Sequence, residues 1–179
     1  MHRLFTALSV PDELGAQLRL LQTDVAGARW RHLEHYHVTL SFHGSVTHEQ
    51  ADALADELER VSSQPVELSV EGVGWFGRRE PRAIYARIQE NPALMRLAQN
   101  CRAAGRRVGL RPDDHPFVPH ITLAYCKDSP LEAVRAWSEA YQVTRSETYL
   151  VDQFHLFESF TFTGKMSQYQ AQVDYSLRG

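Results

Sequence analysis

The chain reads as an α+β protein in which two lobes of antiparallel sheet, flanked by helices and related by an approximate twofold, enclose a central cleft. Three observations predict this. First, two six-residue segments repeat each other in chemistry at every position: His37-Val38-Thr39-Leu40-Ser41-Phe42 and His120-Ile121-Thr122-Leu123-Ala124-Tyr125. Second, each is followed by a helix-start signal, so the repeat is a whole strand-then-helix unit. Third, the other apolar segments are short and alternate with period two, as half-buried strands do. The two lobes interleave along the sequence, which makes 1–179 a single domain.

The elements follow in order. Residues 2–10 alternate Leu4, Thr6, Leu8 and Val10 against Phe5, Ala7 and Ser9, a strand pattern. Pro11 then opens a helix with Leu14, Leu18, Leu21 and Val25 on its buried stripe. After the first repeat, Thr47 and Gln50 have capping-box spacing, ahead of Ala51, Leu54, Leu58 and Val61 at helical intervals. Strands are expected at 66–73 and 83–88. Pro92 starts a third helix with Leu94, Leu97, Cys101, Ala104 and Val108 inward, and the Gly- and Pro-containing run 109–116 delivers the second repeat. Ser129 with Glu132 repeats the capping box, with Pro130 at the first helical position and Leu131, Val134, Trp137 and Tyr141 as the stripe. Strands at 149–158 and along Tyr169, Ala171, Val173, Tyr175 and Leu177 complete the second half.

Composition narrows the partners. A hydrophobic fraction of 43% and a charged fraction of 23% are ordinary for a folded domain and exclude a largely disordered chain. The formal charge of -3 removes the electrostatic basis for tight, sequence-independent nucleic-acid binding, so any nucleic acid must be held locally, by a few bases or one phosphate. No stretch approaches the roughly 20 apolar residues of a membrane span, and the expectation is a cytoplasmic monomer without membrane attachment. Cys101 and Cys126 have neither metal-ligand nor disulfide-framework spacing.

The repeats carry the chemistry. Side chains alternate along a strand, so His37 and Thr39 share one face, and His120 and Thr122 share the equivalent face of the second strand. Imidazole titrates near neutral pH and serves as acid or base. With a cyclic phosphate between two such strands, one neutral imidazole takes a proton from the attacking water while the other, protonated, gives one to the leaving ribose oxygen. The threonine hydroxyls are placed to donate to the non-bridging oxygens. No metal or other cofactor is required. His32, His35, His37, His43 and His48 fit no compact zinc spacing, and no cysteine or carboxylate recurs with them.

Paired motifs of this form resemble the 2H phosphoesterase superfamily, named for two His-x-Thr-x motifs, and within it the bacterial RNA 2′,3′-cyclic phosphodiesterases of the LigT/ThpR type. The resemblance covers nearly the whole chain. It includes Leu4-Phe5-Thr6-Ala7-Leu8, Pro116-Phe117-Val118-Pro119, and Leu156-Phe157-Glu158-Ser159 followed by Gly164 and Tyr169. It implies hydrolysis of 2′,3′-cyclic phosphate ends of RNA or small nucleotides to 2′-phosphomonoesters. His37 would be the proton donor, His120 the acceptor, and Thr39 and Thr122 the phosphate-binding residues. Members of the family have also been detected as 2′-5′ RNA ligases.

The chain departs from the family at two positions. Tyr125 stands where arginine often follows Thr-Leu-Ala, and His43 where leucine is usual. By alternation His43 falls on the catalytic face. Phe42, His43, Tyr125 and Arg82 are further candidates for substrate contact: the aromatic rings by stacking on a base, Arg82 by approaching an RNA phosphate. Two rival readings are a 2H enzyme for another 2′-5′ linked or cyclic nucleotide, and a noncatalytic RNA-end binding module whose histidines only grip phosphate.

Overall fold

The computed structural model describes residues 1–161 and 167–178; Gly164 lies outside them. It is an α+β structure with ten strands and four α-helices among the described residues. In chain order these are β1 (His2–Ser9), α1 (Asp12–Arg19), β2 (Ala28–Trp30), β3 (His37–Val46), α2 (His48–Glu59), β4 (Val66–Leu68), β5 (Val70–Phe76) and β6 (Ala83–Ile88). There follow α3 (Pro92–Arg107), β7 (His120–Cys126), α4 (Leu131–Tyr141), β8 (Tyr149–Val151), β9 (Gln153–Phe160) and β10 (Gln168–Ser176).

One antiparallel sheet runs in the order β10-β9-β1-β3-β7-β6-β5, with β2 added against β7, and β4 pairs with β8 in a small second sheet. The two repeat strands are the central neighbours β3 and β7. Each has a long antiparallel partner on its outer side, β1 for β3 and β6 for β7. Between themselves they share a single register pair, Val38 with Ile121. The sequence leads to two sheets facing a cleft; the structure joins both halves into one sheet across that pair. Val38, Ile121, Leu40 and Leu123 are all buried, and the helices cover that face. α3 packs on β3 and α4 on β5.

Local sequence explains most boundaries. The Thr47 Oγ1 accepts from the Gln50 N–H (3.2 Å), and the Thr47 N–H donates to Gln50 Oε1 (3.0 Å), completing the expected box. Asn91 caps α3, its Oδ1 accepting from the Leu94 N–H at 2.9 Å, with Pro92 at the first helical position.

Two expectations fail. α1 stops at Arg19, so Leu21 and Val25 reach the core from a loop, where apolar spacing alone suggests a longer helix. At α4 the N-cap is Pro130, in an extended conformation, without a side-chain cap. Ser129 lies one residue too early for the box, and its buried Oγ has no partner among the described residues. No described helix is long and apolar enough to cross a membrane.

Candidate active site

The antiparallel pairing of Val38 with Ile121 sets the site's symmetry. It puts Thr39 on the His120 side of the pair and His37 on the Thr122 side, so each imidazole neighbours the other motif's hydroxyl. All four side chains line one cleft of about 450 Å³. Neither threonine hydroxyl has a hydrogen-bond partner among the described residues, which leaves both able to donate to a bound anion.

Each histidine is anchored in the same way. His37 Nδ1 lies 2.8 Å from the carbonyl oxygen of His35, and His120 Nδ1 lies 2.6 Å from that of Val118. A carbonyl only accepts, so Nδ1 carries the proton in both rings and Nε2 is left as the proton-exchanging atom. Desolvation holds both rings below the usual imidazole range. For His37 the value falls to about 4, with Arg31 and His120 adding to the effect against its hydrogen bond to His35. His120 is lowered too, by burial alone, against the bond to Val118.

Their surroundings differ. His37 sits in an aromatic nest: Phe5 at 5.2 Å between ring centroids, Tyr169 edge-on at 5.0 Å and Phe157 at 6.4 Å. His120 meets Phe76 at 4.9 Å and Tyr85 at 5.4 Å. Tyr85 fits because Gly74 faces it; a Cβ at Gly74 would come within 2.7 Å of the Tyr85 hydroxyl.

A feature of both motif strands decides what else reaches the cleft. In β3, Thr39 pairs with Ala7 and Ser41 with Thr6, so Leu40 is an extra residue. In β7, Thr122 pairs with Tyr85 and Ala124 with Ile84, so Leu123 is extra. Both are β-bulges directly after the threonine, and each reverses the side-chain alternation beyond it. Phe42 and Tyr125 are thereby turned into the cleft, 40% and 41% exposed. The same reversal sends His43 into the core, correcting its expected position on the catalytic face. His43 is 4% exposed, lies against Gly105 and has no partner for either ring nitrogen among the described residues. Arg82 is exposed at the start of β6 and is not among the residues lining the cleft.

Sequence reasoning missed Arg31 and Arg102. Arg31 is 2% exposed, with its guanidinium 4.9 Å from the centroid of Tyr169 and 5.5 Å from that of Tyr125. The position that often holds arginine in the resembled family is a tyrosine here, and a cation from the adjoining strand end stacks on that tyrosine. Arg102 reaches the cleft from α3 and donates to the His115 carbonyl at 3.0 Å. Neither has a periodic signal, since both are delivered by tertiary contacts. Of the histidines clustered in sequence, His37 alone lines the cleft among the described residues, and among the described residues no group of three or more His, Cys, Asp or Glu side chains is arranged to hold a metal ion. Cys101 and Cys126 are free thiols.

Comparison with known proteins agrees with this architecture. Residues 10–159 match the family model of the 2′-5′ RNA ligase superfamily. The chain belongs to that superfamily. Its relatives include an RNA 2′,3′-cyclic phosphodiesterase of Thermus thermophilus, 32% identical over 95% of both chains. Another of that name, from Geobacillus stearothermophilus, is 37% identical over 53% of this chain, a match that spans only 31% of the relative's length. Among solved structures, Escherichia coli LigT complexed with 3′-AMP superposes with a TM-score of 0.80, at 26% identity over 99% of each chain.

Proposed function

We propose that this protein hydrolyses 2′,3′-cyclic phosphate ends of RNA or small nucleotides to 2′-phosphomonoesters, as a cytoplasmic monomer and by two-histidine acid–base catalysis. The observation that carries the reading is the pair of half-sites across the Val38–Ile121 contact, each presenting an imidazole Nε2 and a threonine hydroxyl to one cleft. His120 accepts the proton of the attacking water. His37 donates one to the departing 3′ oxygen, so the 2′ ester remains. Thr39 and Thr122 hold the non-bridging oxygens, where charge rises in the transition state. The names of the relatives point the same way, and 2′-5′ ligation, the activity in the superfamily's name, is the same ring opening with an RNA 5′-hydroxyl attacking in place of water.

The test is turnover of a 2′,3′-cyclic mononucleotide, with the product resolved by chromatography. The expected product is the 2′-monophosphate, formed at an unchanged rate in EDTA. A 3′-monophosphate product would reverse the leaving-group assignment. Binding without turnover would favour the noncatalytic RNA-end module, and loss of rate in EDTA restored by zinc or manganese would overturn the metal-independent mechanism.

A further inference from the structure

The catalytic cleft continues past Phe42, Tyr125 and Tyr169 into a second groove of about 400 Å³, whose rim carries Arg3 and Arg29. The three aromatic residues are walls of both spaces. Phe42 and Tyr125 owe their exposure to the two bulges, which turn large rings toward solvent where strand alternation would have buried them. The Tyr125 and Tyr169 hydroxyls lie 3.4 Å apart. Arg3 and Arg29 are exposed, no ion-pair partner engages either among the described residues, and no acidic side chain lines the groove among the described residues. On a chain of net charge -3, an acid-free groove with two uncommitted arginines and two exposed rings is suited to an anion joined to a flat ring.

We propose that this groove is an extension subsite for the penultimate nucleotide of an RNA 3′ end. Its backbone phosphate is held by Arg3 and Arg29, and its base lies against the rings of Phe42 and Tyr125. The inference rests on the cyclic-phosphate reading of the neighbouring cleft and adds a substrate class to it: oligonucleotide ends in preference to free cyclic mononucleotides.

Three substrates separate the contributions: a 2′,3′-cyclic mononucleotide, the same nucleotide with a 5′-phosphate, and a dinucleotide ending in the cyclic phosphate. The dinucleotide is expected to exceed the 5′-phosphorylated mononucleotide in kcat/KM by about tenfold or more, since stacking one base is worth that much. In the double variant Arg3→Gln/Arg29→Gln, the 5′-phosphorylated mononucleotide should fall to the level of the unphosphorylated one and the dinucleotide should lose the same factor together with its salt dependence, with turnover of the unphosphorylated mononucleotide unchanged. Equal kcat/KM for all three substrates, or a gain from the 5′-phosphate that survives in the double variant, would overturn the subsite. Titration with a dinucleotide ending in a 2′-phosphate reads the groove without catalysis. Binding weakened about tenfold in the double variant supports the subsite even if no substrate turns over, and unchanged binding rejects it.

Discussion

His37 and His120 are anchored by the same bond, Nδ1 to a carbonyl two residues upstream, on strands with the same bulge after the threonine. Around His37 stand Phe5, Phe157, Tyr169 and the buried Arg31; around His120 stand Phe76 and Tyr85, with no cation among the causes of its shifted pKa. The repeated segments thus fix where the imidazoles are. What distinguishes them comes from β1, β9, β10 and the end of β2 on one side and from β5 and β6 on the other. The proposed division into donor and acceptor therefore rests on the unrepeated surroundings. Because the His37 environment opposes its charged form, a donor at His37 has to take up its proton together with the anionic phosphate, whose charge offsets Arg31 and His120.

The strongest way to break this comparison is to remove the imidazoles one at a time. His37→Ala and His120→Ala should each lower kcat by about 10²-fold or more, with the fold retained by circular dichroism. A nitrophenyl phosphodiester, whose leaving group needs no acid, should restore His37→Ala far more than His120→Ala. Equal restoration, or the reverse order, would invert the donor and acceptor roles. The hydroxyls come next: Thr39→Val and Thr122→Val should each cost about tenfold in kcat, the worth of one hydrogen bond to a charged group, and should do so equally if the half-sites bind phosphate symmetrically. No loss in either would move the phosphate donors elsewhere.

A finer test uses the asymmetry itself. Arg31 depresses the His37 pKa and is absent from the causes acting on His120. In Arg31→Gln the His37 titration followed by NMR should move up while that of His120 stays, and only one limb of the bell-shaped pH–rate profile should shift. Movement of both titrations together would mean that Arg31 acts through the fold and not through its charge.

The smallest effect concerns His43, which the bulge at Leu40 turns away from the cleft. Its pKa falls from 6.5 to about 4 through burial. Above pH 6.5 it is neutral whether folded or unfolded. Between pH 6.5 and 4 the unfolded chain binds a proton that the folded one does not, so stability drops as the pH falls through that window, by about 1.4 kcal/mol per pH unit for such a group. His43→Leu should flatten this slope in urea titrations. At pH 8 it should add about 1–2 kcal/mol, because two unpartnered ring nitrogens leave the core. Activity on a cyclic mononucleotide should not change, and a marked loss would show that His43 supports the cleft after all.

Much of the fold was legible because it rests on local rules. Period-two runs gave β1, β6 and β10, the capping box gave the start of α2, and Pro92 gave that of α3. His37, Thr39, His120 and Thr122 were legible for a different reason, the repetition of one short pattern. His43, Phe42 and Tyr125 show where this reading fails. Alternation counts residues along one strand, whereas a bulge is a relation between two, set here by how Thr6–Ala7 and Ile84–Tyr85 pair across the sheet. The capping-box match at Ser129 failed by a single residue for a similar reason, since the conformation of Pro130 decides where α4 begins.

The sequence by itself determined the class of fold, the two histidines and two threonines, and the need for both motif strands at one cleft. These depend on residue type and spacing, which the chain carries in one dimension. Tertiary structure decided that the strands meet at one register pair, that Phe42 and Tyr125 face the cleft while His43 does not, and that Arg31 stacks on the tyrosine standing in an arginine's usual place. Each of these depends on which distant segment lies alongside, and that is settled by packing of the whole sheet, not by any local signal.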